Sequence, residues 1–273
     1  MGENSETSMR VLLADLHIHT CLSPCATLDM TPRKIVKQAQ EKKLGIIAIT
    51  DHNSAENTRS VMAAARHTGL CVIPGIEVTT SEEVHIVGLF EDAADAISMQ
   101  ALVYDHLQPG ENDDDLFGIQ VIANEFDEVE GINRRLLIGA TSLGLSEVVD
   151  AIHRLDGLAV AAHIDREAFS VIGQLGFIPE DLALDAVEIS RNMTLETAQE
   201  HFKEYKRFAF VTSSDAHDVP EVGTRPTNFL MAGPELAELR LALKGTGGRK
   251  IAGSFASHIG HCGECNKRRS DPR

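Results

Sequence analysis

At five places along the chain, histidines and carboxylates stand just past an apolar run: Asp15-Leu16-His17-Ile18-His19, Asp51-His52, Glu77 with His85, His163, and Asp215-Ala216-His217. Imidazole and carboxylate are the donors that hold zinc, manganese or iron. His17 and His19 are two apart, as are Asp215 and His217, so on extended chain each pair projects to one face and can reach one ion. The bland reading of one such pair is two hydrogen-bonded core histidines. Adjacent Asp51 and His52 face opposite ways, so one of them is a ligand, and His52 is the choice. Asp51 is left either to orient a neighbouring imidazole or to cap the next helix. Glu77 lies in the apolar stretch Pro74-Gly75-Ile76-Glu77-Val78, where a carboxylate is costly unless paired or metal-bound. Its two oxygens suit a bridge between ions. His85 and His163 alone read as satisfied core histidines; they gain meaning from the company they keep.

The apolar runs before these residues must deliver them. Val11–Ala14, Ile46–Thr50, Cys71–Pro74, Val84–Leu89, Leu158–Ala162 and Phe208–Thr212 read as buried strands from their length and β-branched content. Helices alternate with them. Thr31-Pro32 opens one that Gly45 closes; others are expected near Ser54–Thr68, from a Ser146 cap to Leu155, and from a Thr194 cap to about Arg207. Alternation argues for parallel β/α packing, and strand ends that converge on one face of a β/α barrel can bring separate ligands to a common point. The rhythm breaks between about Glu91 and Leu145, where Pro109-Gly110 leads into Asp113-Asp114-Asp115; this segment reads as an insertion over the barrel face.

The chain has 273 residues, 43% of them hydrophobic, enough for one large core. A formal charge of -16 repels phosphate backbones, so an extended nucleic-acid surface is not expected, whereas a cation-loaded pocket for a small phosphorylated substrate is compatible with it. Aromatic content of only 4% offers few stacking platforms for single strands. No run approaches a membrane span, and Met1–Arg10 has no apolar signal region, so a cytoplasmic protein is expected. Five cysteines suggest reduced thiols rather than a disulfide scaffold. The domain is placed at residues 10–255, followed by a basic tail, 256–273, in which His258, His261, Cys262 and Cys265 could make a zinc knuckle or nothing. The oligomeric state is open.

Taken together, these motifs resemble the PHP (polymerase and histidinol phosphatase) superfamily of metal-dependent phosphoesterases, over roughly Arg10–Ala94 and Leu158–Arg225. The resemblance implies an α/β fold, a distorted (β/α)7 barrel, with two or three divalent ions, Zn, Mn or Fe. It implies that His17, His19, Glu77 and Asp215 hold one ion, Glu77, His85 and His163 a second, and His52 with His217 a third. Relatives place an Asp or His after the His-x-His, where this chain has Cys25, with Asp29 as the fallback; Cys25 either ligates, favouring zinc, or packs as a small apolar residue. The implied reaction is hydrolysis of a phosphate ester by metal-activated water. Glu77 is central to it, His163 or His217 is the candidate acid, and Arg166 and Arg225 are candidate phosphate clamps, the alternative for each being a surface ion pair. The runner-up reading is an exonuclease or oligonucleotide-processing phosphodiesterase, and a third is a non-catalytic module, which lost ligands would have favoured.

Overall fold

Short β-branched runs with a single polar residue at their ends fold as the strands of one curved sheet. The computed structural model describes residues 8–252. Strands β1 (Arg10–Ile18), β2 (Ile46–Ile49), β3 (Cys71–Thr79), β4 (His85–Leu89), β7 (Leu158–Ala161), β8 (Ala186–Ile189) and β9 (Ala209–Thr212) are neighbours in that order. Strands β10 (Thr227–Met231) and β11 (Lys250–Ile251) are added antiparallel beyond β1. The two edges approach one another. Thr212 N donates to Thr227 Oγ1 at 2.7 Å, and Ala216, just past β9, bridges to Ile18 at the end of β1. The sheet is therefore a nearly closed barrel, and its seven consecutive strands agree with the expected (β/α)7 architecture. One difference is β4, which runs antiparallel to both β3 and β7: Glu83 takes a left-handed turn (φ 58°), and a tight β3–β4 hairpin replaces the expected crossover helix.

The interior is filled in layers. Ala14 and Leu16, Ile46 and Ala48, Ile73, Val87 and Leu89, Leu158 and Val160, Ala186 and Val211 point inward, and Leu236, Leu239 and Ala242 of helix α8 (Leu236–Leu243) close the same cluster. The opposite strand faces pack against the helices: α1 (Pro32–Glu41) and α2 (Thr58–Ala64) over Ile47, Ile49 and Val72, and α3 (Ala93–His106) with α5 (Leu145–Arg154) over Ile76, Val78 and Ile86. Period-2 alternation then puts the next inward residue on each strand above this apolar plug. At that level stand Glu77, His85 and Glu188, and His17 joins them where the register of β1 shifts. Gly75 sits one inward step below Glu77; a Cβ there would lie 2.8 Å from Thr50 Cγ2 and 2.9 Å from the Gly88 carbonyl, so only glycine lets β2, β3 and β4 close so tightly.

Two expectations at helix ends are corrected. The helix expected at Ser54–Thr68 is shorter, because Asn57 turns its amide to the Thr20 hydroxyl and the Val121 carbonyl, and α2 starts only at Thr58. The cap of α5 is Gly144, not Ser146: the Glu147 carboxylate reaches back to the Gly144 amide at 2.8 Å. Thr194 does cap α7 (Leu195–His201), accepting from Thr197 N.

The segment expected as an insertion divides in two. Its first part, α3, is an ordinary barrel helix with Ala96, Met99 and Val103 in the outer core. The remainder, with short helix α4 (Asp114–Phe117) and the hairpin β5 (Val121–Ala123) and β6 (Val129–Ile132), docks on the loops that follow β1 and β2. Val121 N donates to the Cys21 carbonyl at 2.9 Å, and the Asn53 amide group donates to the Leu137 and Gly139 carbonyls at 2.9 and 2.8 Å. Those loops rim the face that carries the histidines.

Asp15 holds the seam shut. Fully buried, it accepts from Ser214 N (2.9 Å), Ser214 Oγ (2.6 Å) and Gly223 N (2.7 Å), tying β1 to the chain beyond β9. Asp15→Ala strands two buried donors of Ser214 and the half-buried amide of Gly223, and is expected to lower stability by on the order of 3 kcal/mol in chemical denaturation. A loss below about 1 kcal/mol would mean that the seam closes without it. The tail 256–273, including Cys262 and Cys265, lies outside the described residues.

Candidate metal centre

The His-x-His pair is aimed by an irregularity in β1. Asp15 pairs with Ile47 but Ile18 with Ile49, so three steps on β1 oppose two on β2, a bulge between them. Bulges re-aim side chains beside functional sites. With Leu16 in the interior cluster and Ile18 in the outer one, the extra residue turns both His17 and His19 inward. His163 follows interior Ala162 directly and would face outward on a regular strand; its left-handed backbone, φ 31°, turns it back. Asp215 is also left-handed, at φ 49°. For non-glycine residues such backbones are costly and collect at functional sites.

Glu77 is the hub. Its Oε1 lies 2.9 Å from His85 Nδ1, 3.3 Å from His17 Nε2 and 3.4 Å from His163 Nε2; its Oε2 lies 2.9 Å from His52 Nδ1 and 3.4 Å from His19 Nε2. Asp215 Oδ1 stands 3.1 Å from His19 Nε2 and 3.4 Å from His17 Nε2, and the two Nε2 atoms are 3.2 Å apart. Bonds of about 2.1 Å around a tetrahedral or octahedral ion put neighbouring donors about 3.0 to 3.4 Å apart, the range seen here.

The outer ring nitrogens settle which lone pairs face inward. His17 Nδ1 is 3.1 Å from both oxygens of Glu188, and a carboxylate only accepts, so Nδ1 carries a proton and Nε2 is the nitrogen left to an ion at the centre. His217 Nδ1 likewise donates to the Asp215 carbonyl at 2.8 Å. His19 Nδ1 lies 2.9 Å from Ser23 Oγ, whose own proton goes to Asp51 Oδ1 at 2.7 Å, so the imidazole donates again. Of the two roles open to Asp51, it is therefore the orienting one that the geometry supplies, through Ser23; α2 begins only at Thr58, with Asn57 and not Asp51 at its N-cap. Carboxylate or hydroxyl partners behind an imidazole are the arrangement that fixes a ligand histidine.

Several inward atoms make no well-directed hydrogen bond: His52 Nδ1, His85 Nδ1 and both Glu77 oxygens are buried and unsatisfied although they crowd to 2.9 Å of one another. Such orphans are costly. A divalent ion satisfies them at once, and three donor groups are close enough to hold one: His17, His19 and Glu77; His52, Glu77 and His85; His19, His52 and His217. The residues present thus fit the metal ions that the motifs imply.

Electrostatics point the same way. Burial would raise the Glu77 carboxyl, but His85, His17 and His52 around it hold it well below the usual range. Burial would lower the His17 imidazole, yet Glu188, Glu77 and Asp215 lift it well above its ordinary value. His19 goes the other way, pushed well down by burial and by His217 and His52. Burial takes His85 down to about 4. The site is built for positive charge at its centre, and protons compete with ions for its nitrogens.

The remaining expected residues divide. Cys25 is exposed, but burial of its thiol, which would raise it, is outweighed by His52 and His217, which bring it down to about 6. Asp29 is instead paired with Lys34 on the surface. Arg166, half-buried, puts Nη2 2.7 Å from Asp215 Oδ2, at the rim of the cluster and not in a surface pair. Arg225 is not brought to the cluster: its guanidinium is taken up by the Met193 carbonyl at 2.7 Å and the Ser190 carbonyl at 3.4 Å. Glu188 was missed by sequence reasoning, although a carboxylate inside Ala186-Val187-Glu188-Ile189 carries the same signal as Glu77.

A sequence profile of the PHP domain matches residues 15–208, more than half of the chain. The chain belongs to the PHP family. The matched range runs unbroken through the segment that the motifs had left outside it, and stops short of Asp215 and His217, which the fold returns to the cluster. The family is one of metal-dependent phosphoesterases. The 5'-3' exoribonuclease Rnm of Salmonella typhimurium is 37% identical over 99 residues, covering 34% of this chain and 33% of that protein. The 3',5'-nucleoside bisphosphate phosphatase of Chromobacterium violaceum is 34% identical over 84 residues, 30% of this chain and 28% of its own. The lesion-specific endonuclease EndoQ of Pyrococcus furiosus shares the fold with a TM-score of 0.71 at 22% identity, over 89% of this chain and 58% of that one. These alignments span about a third of the curated relatives and little over half of the solved structure.

Proposed function

We propose that this chain hydrolyses phosphate esters at a cluster of two or three divalent ions held by His17, His19, His52, Glu77, His85, His163, Asp215 and His217, with Cys25 at the His52–His217 side. The observation that carries the reading is the convergence of bare nitrogens on unsatisfied Glu77. When bound, zinc, manganese or iron supplies Lewis acidity toward phosphoryl oxygen and lowers the pKa of water. The chain's own groups do the rest. Glu77 sets the spacing of the donors, while Glu188 and the Ser23–Asp51 pair hold His17 and His19 in the tautomer that leaves Nε2 free. Arg166, anchored on Asp215 Oδ2, keeps further donors to offer a phosphate at the rim. His217, partly exposed, is placed to hold a proton near a leaving oxygen when it is not ligating.

A small phosphorylated metabolite or nucleotide is the substrate that the charge favours, since -16 repels a polymer over many phosphates while a single ester feels mainly the local ions. The acidic turn Asp113–Asp115 belongs to the segment docked at the site's rim and adds to that repulsion. The second reading, processing of oligonucleotides, is favoured by the likeness to an exoribonuclease and to the fold of a DNA-lesion endonuclease. No helix among the described residues is long and apolar enough to cross a membrane. Comparing kcat/KM for a nucleoside monophosphate with that for a single strand of about twenty nucleotides, at two salt concentrations, separates the readings. The small ester is expected to be preferred, with the gap narrowing as salt rises. Preference for the strand at both salts would transfer the assignment to nucleic-acid processing.

A further inference from the structure

The loop that follows β7 carries an exposed aromatic ring that the hydrolytic machinery described above does not use. Phe169 is 41% exposed, and its ring lies nearly parallel to that of His85, centroids 4.7 Å apart and planes 19° apart. His85 is itself buried, with Nδ1 2.9 Å from Glu77 Oε1, so the phenyl ring is separated from the centre of the cluster by one imidazole. One face of the ring is covered by that imidazole, so the exposed part of the residue lies elsewhere on it.

Phe169 is held in place at some cost. Its backbone is left-handed, φ 58°, a conformation uncommon for a bulky residue. The His85 amide donates to its carbonyl at 2.9 Å, and Ser170 beside it, fully buried, donates to the Arg166 carbonyl at 2.5 Å and accepts from Gly173 N at 2.9 Å. Gly173, in helix α6 (Val171–Leu175), packs on the Glu167 backbone so closely that a Cβ there has no room. Arg166 is tied back in turn, its amide donating to the His163 carbonyl at 2.9 Å. One short, pinned loop therefore presents His163, a guanidinium anchored on Asp215, and a partly exposed aromatic ring.

We infer that Phe169 is a stacking platform for a planar leaving group, so that the site favours phosphoesters of nucleosides or aryl alcohols over those of bare sugars and alkyl alcohols. This rests on the phosphoesterase reading and refines it: Arg166 meets the phosphate, and the ring meets the flat group beyond the scissile oxygen. Stacking a base on an aromatic side chain needs no hydrogen-bond readout and tolerates any base.

The test compares adenosine 5'-monophosphate with ribose 5-phosphate, which share the same phosphorylated oxygen and differ in the base. For the metal-loaded wild type, Phe169→Leu and Phe169→Trp, kcat/KM and equilibrium binding are measured for both esters. The ratio of the nucleotide value to the sugar value is expected to fall about tenfold in Phe169→Leu, through KM and binding, and to be retained in Phe169→Trp. A ratio unchanged in Phe169→Leu, or lost equally in Phe169→Trp, overturns the platform; a parallel loss on both esters with reduced ion content would show a cover over His85 instead. Binding keeps the two readings apart. If neither ester is hydrolysed but the binding ratio still falls in Phe169→Leu, the phosphoesterase reading fails and the platform stands.

Discussion

Glu77→Gln is expected to reduce kcat/KM by about a hundredfold or more while leaving the barrel folded. The substitution keeps the shape of the side chain and removes the charge around which His17, His19, His52, His85 and His163 all stand within 3.4 Å. A neutral amide cannot bridge two ions through two anionic oxygens, and lost ligand chemistry of this kind exceeds the roughly 10- to 100-fold effects of outer partners. Losing the carboxylate leaves the raised imidazoles of His17 and His52 less compensated, so the ion-free variant is expected to melt at a lower temperature than the wild type while still folding. Kinetics, elemental analysis and a melting curve on one preparation check it. Wild-type turnover with full ion content in the variant would remove Glu77 from the centre of the mechanism.

The second large effect belongs to a residue outside the expected ligand set. Glu188→Ala is expected to weaken ion binding by about 10- to 100-fold, because it frees His17 to turn and to move its proton to Nε2. Its carboxylate accepts from His17 Nδ1 at 3.1 Å and from the His163 amide at 3.3 Å, so one deletion loosens two strand ends. Glu188→Gln keeps an acceptor and should recover much of the loss. Competition with a chromogenic chelator reads the affinity, and near-ultraviolet circular dichroism reports whether the core is intact. Equal affinities for the wild type and both variants would make Glu188 a structural residue with no hold on the site.

How much of this was legible beforehand follows from where the signal lies. The donors His17, His19, His52, Glu77, His85, His163, Asp215 and His217 stand out because polar residues at the ends of apolar strands are costly, and the fold brings all of them to one centre. The seven barrel strands were less complete in prospect: β8 has only four residues and no flanking histidine, and missing it hid Glu188. The reversal of β4 was hidden as well, since a strand's apolar run does not state its direction. Likewise, the bulge in β1 and the left-handed turn at His163 aim ligands through backbone geometry that no residue type announces. Arg225 misled for the opposite reason. An arginine after Gly223-Thr224 looks free to clamp phosphate, yet the loop after β8 supplies two carbonyls that occupy it, and only the packed structure places them.

If the buried histidines and carboxylates form a polynuclear site rather than a hydrogen-bonded core, the number of ions bound per chain must show it. Protein prepared without chelators, reconstituted separately with zinc, manganese and iron, and passed through a desalting column would be assayed by elemental analysis alongside phosphoesterase turnover. At least two ions per chain are expected for one of these metals, with activity that rises with loading and disappears on chelation. Less than one ion per chain under all three conditions would mean that these side chains are a hydrogen-bonded core and not a metal centre.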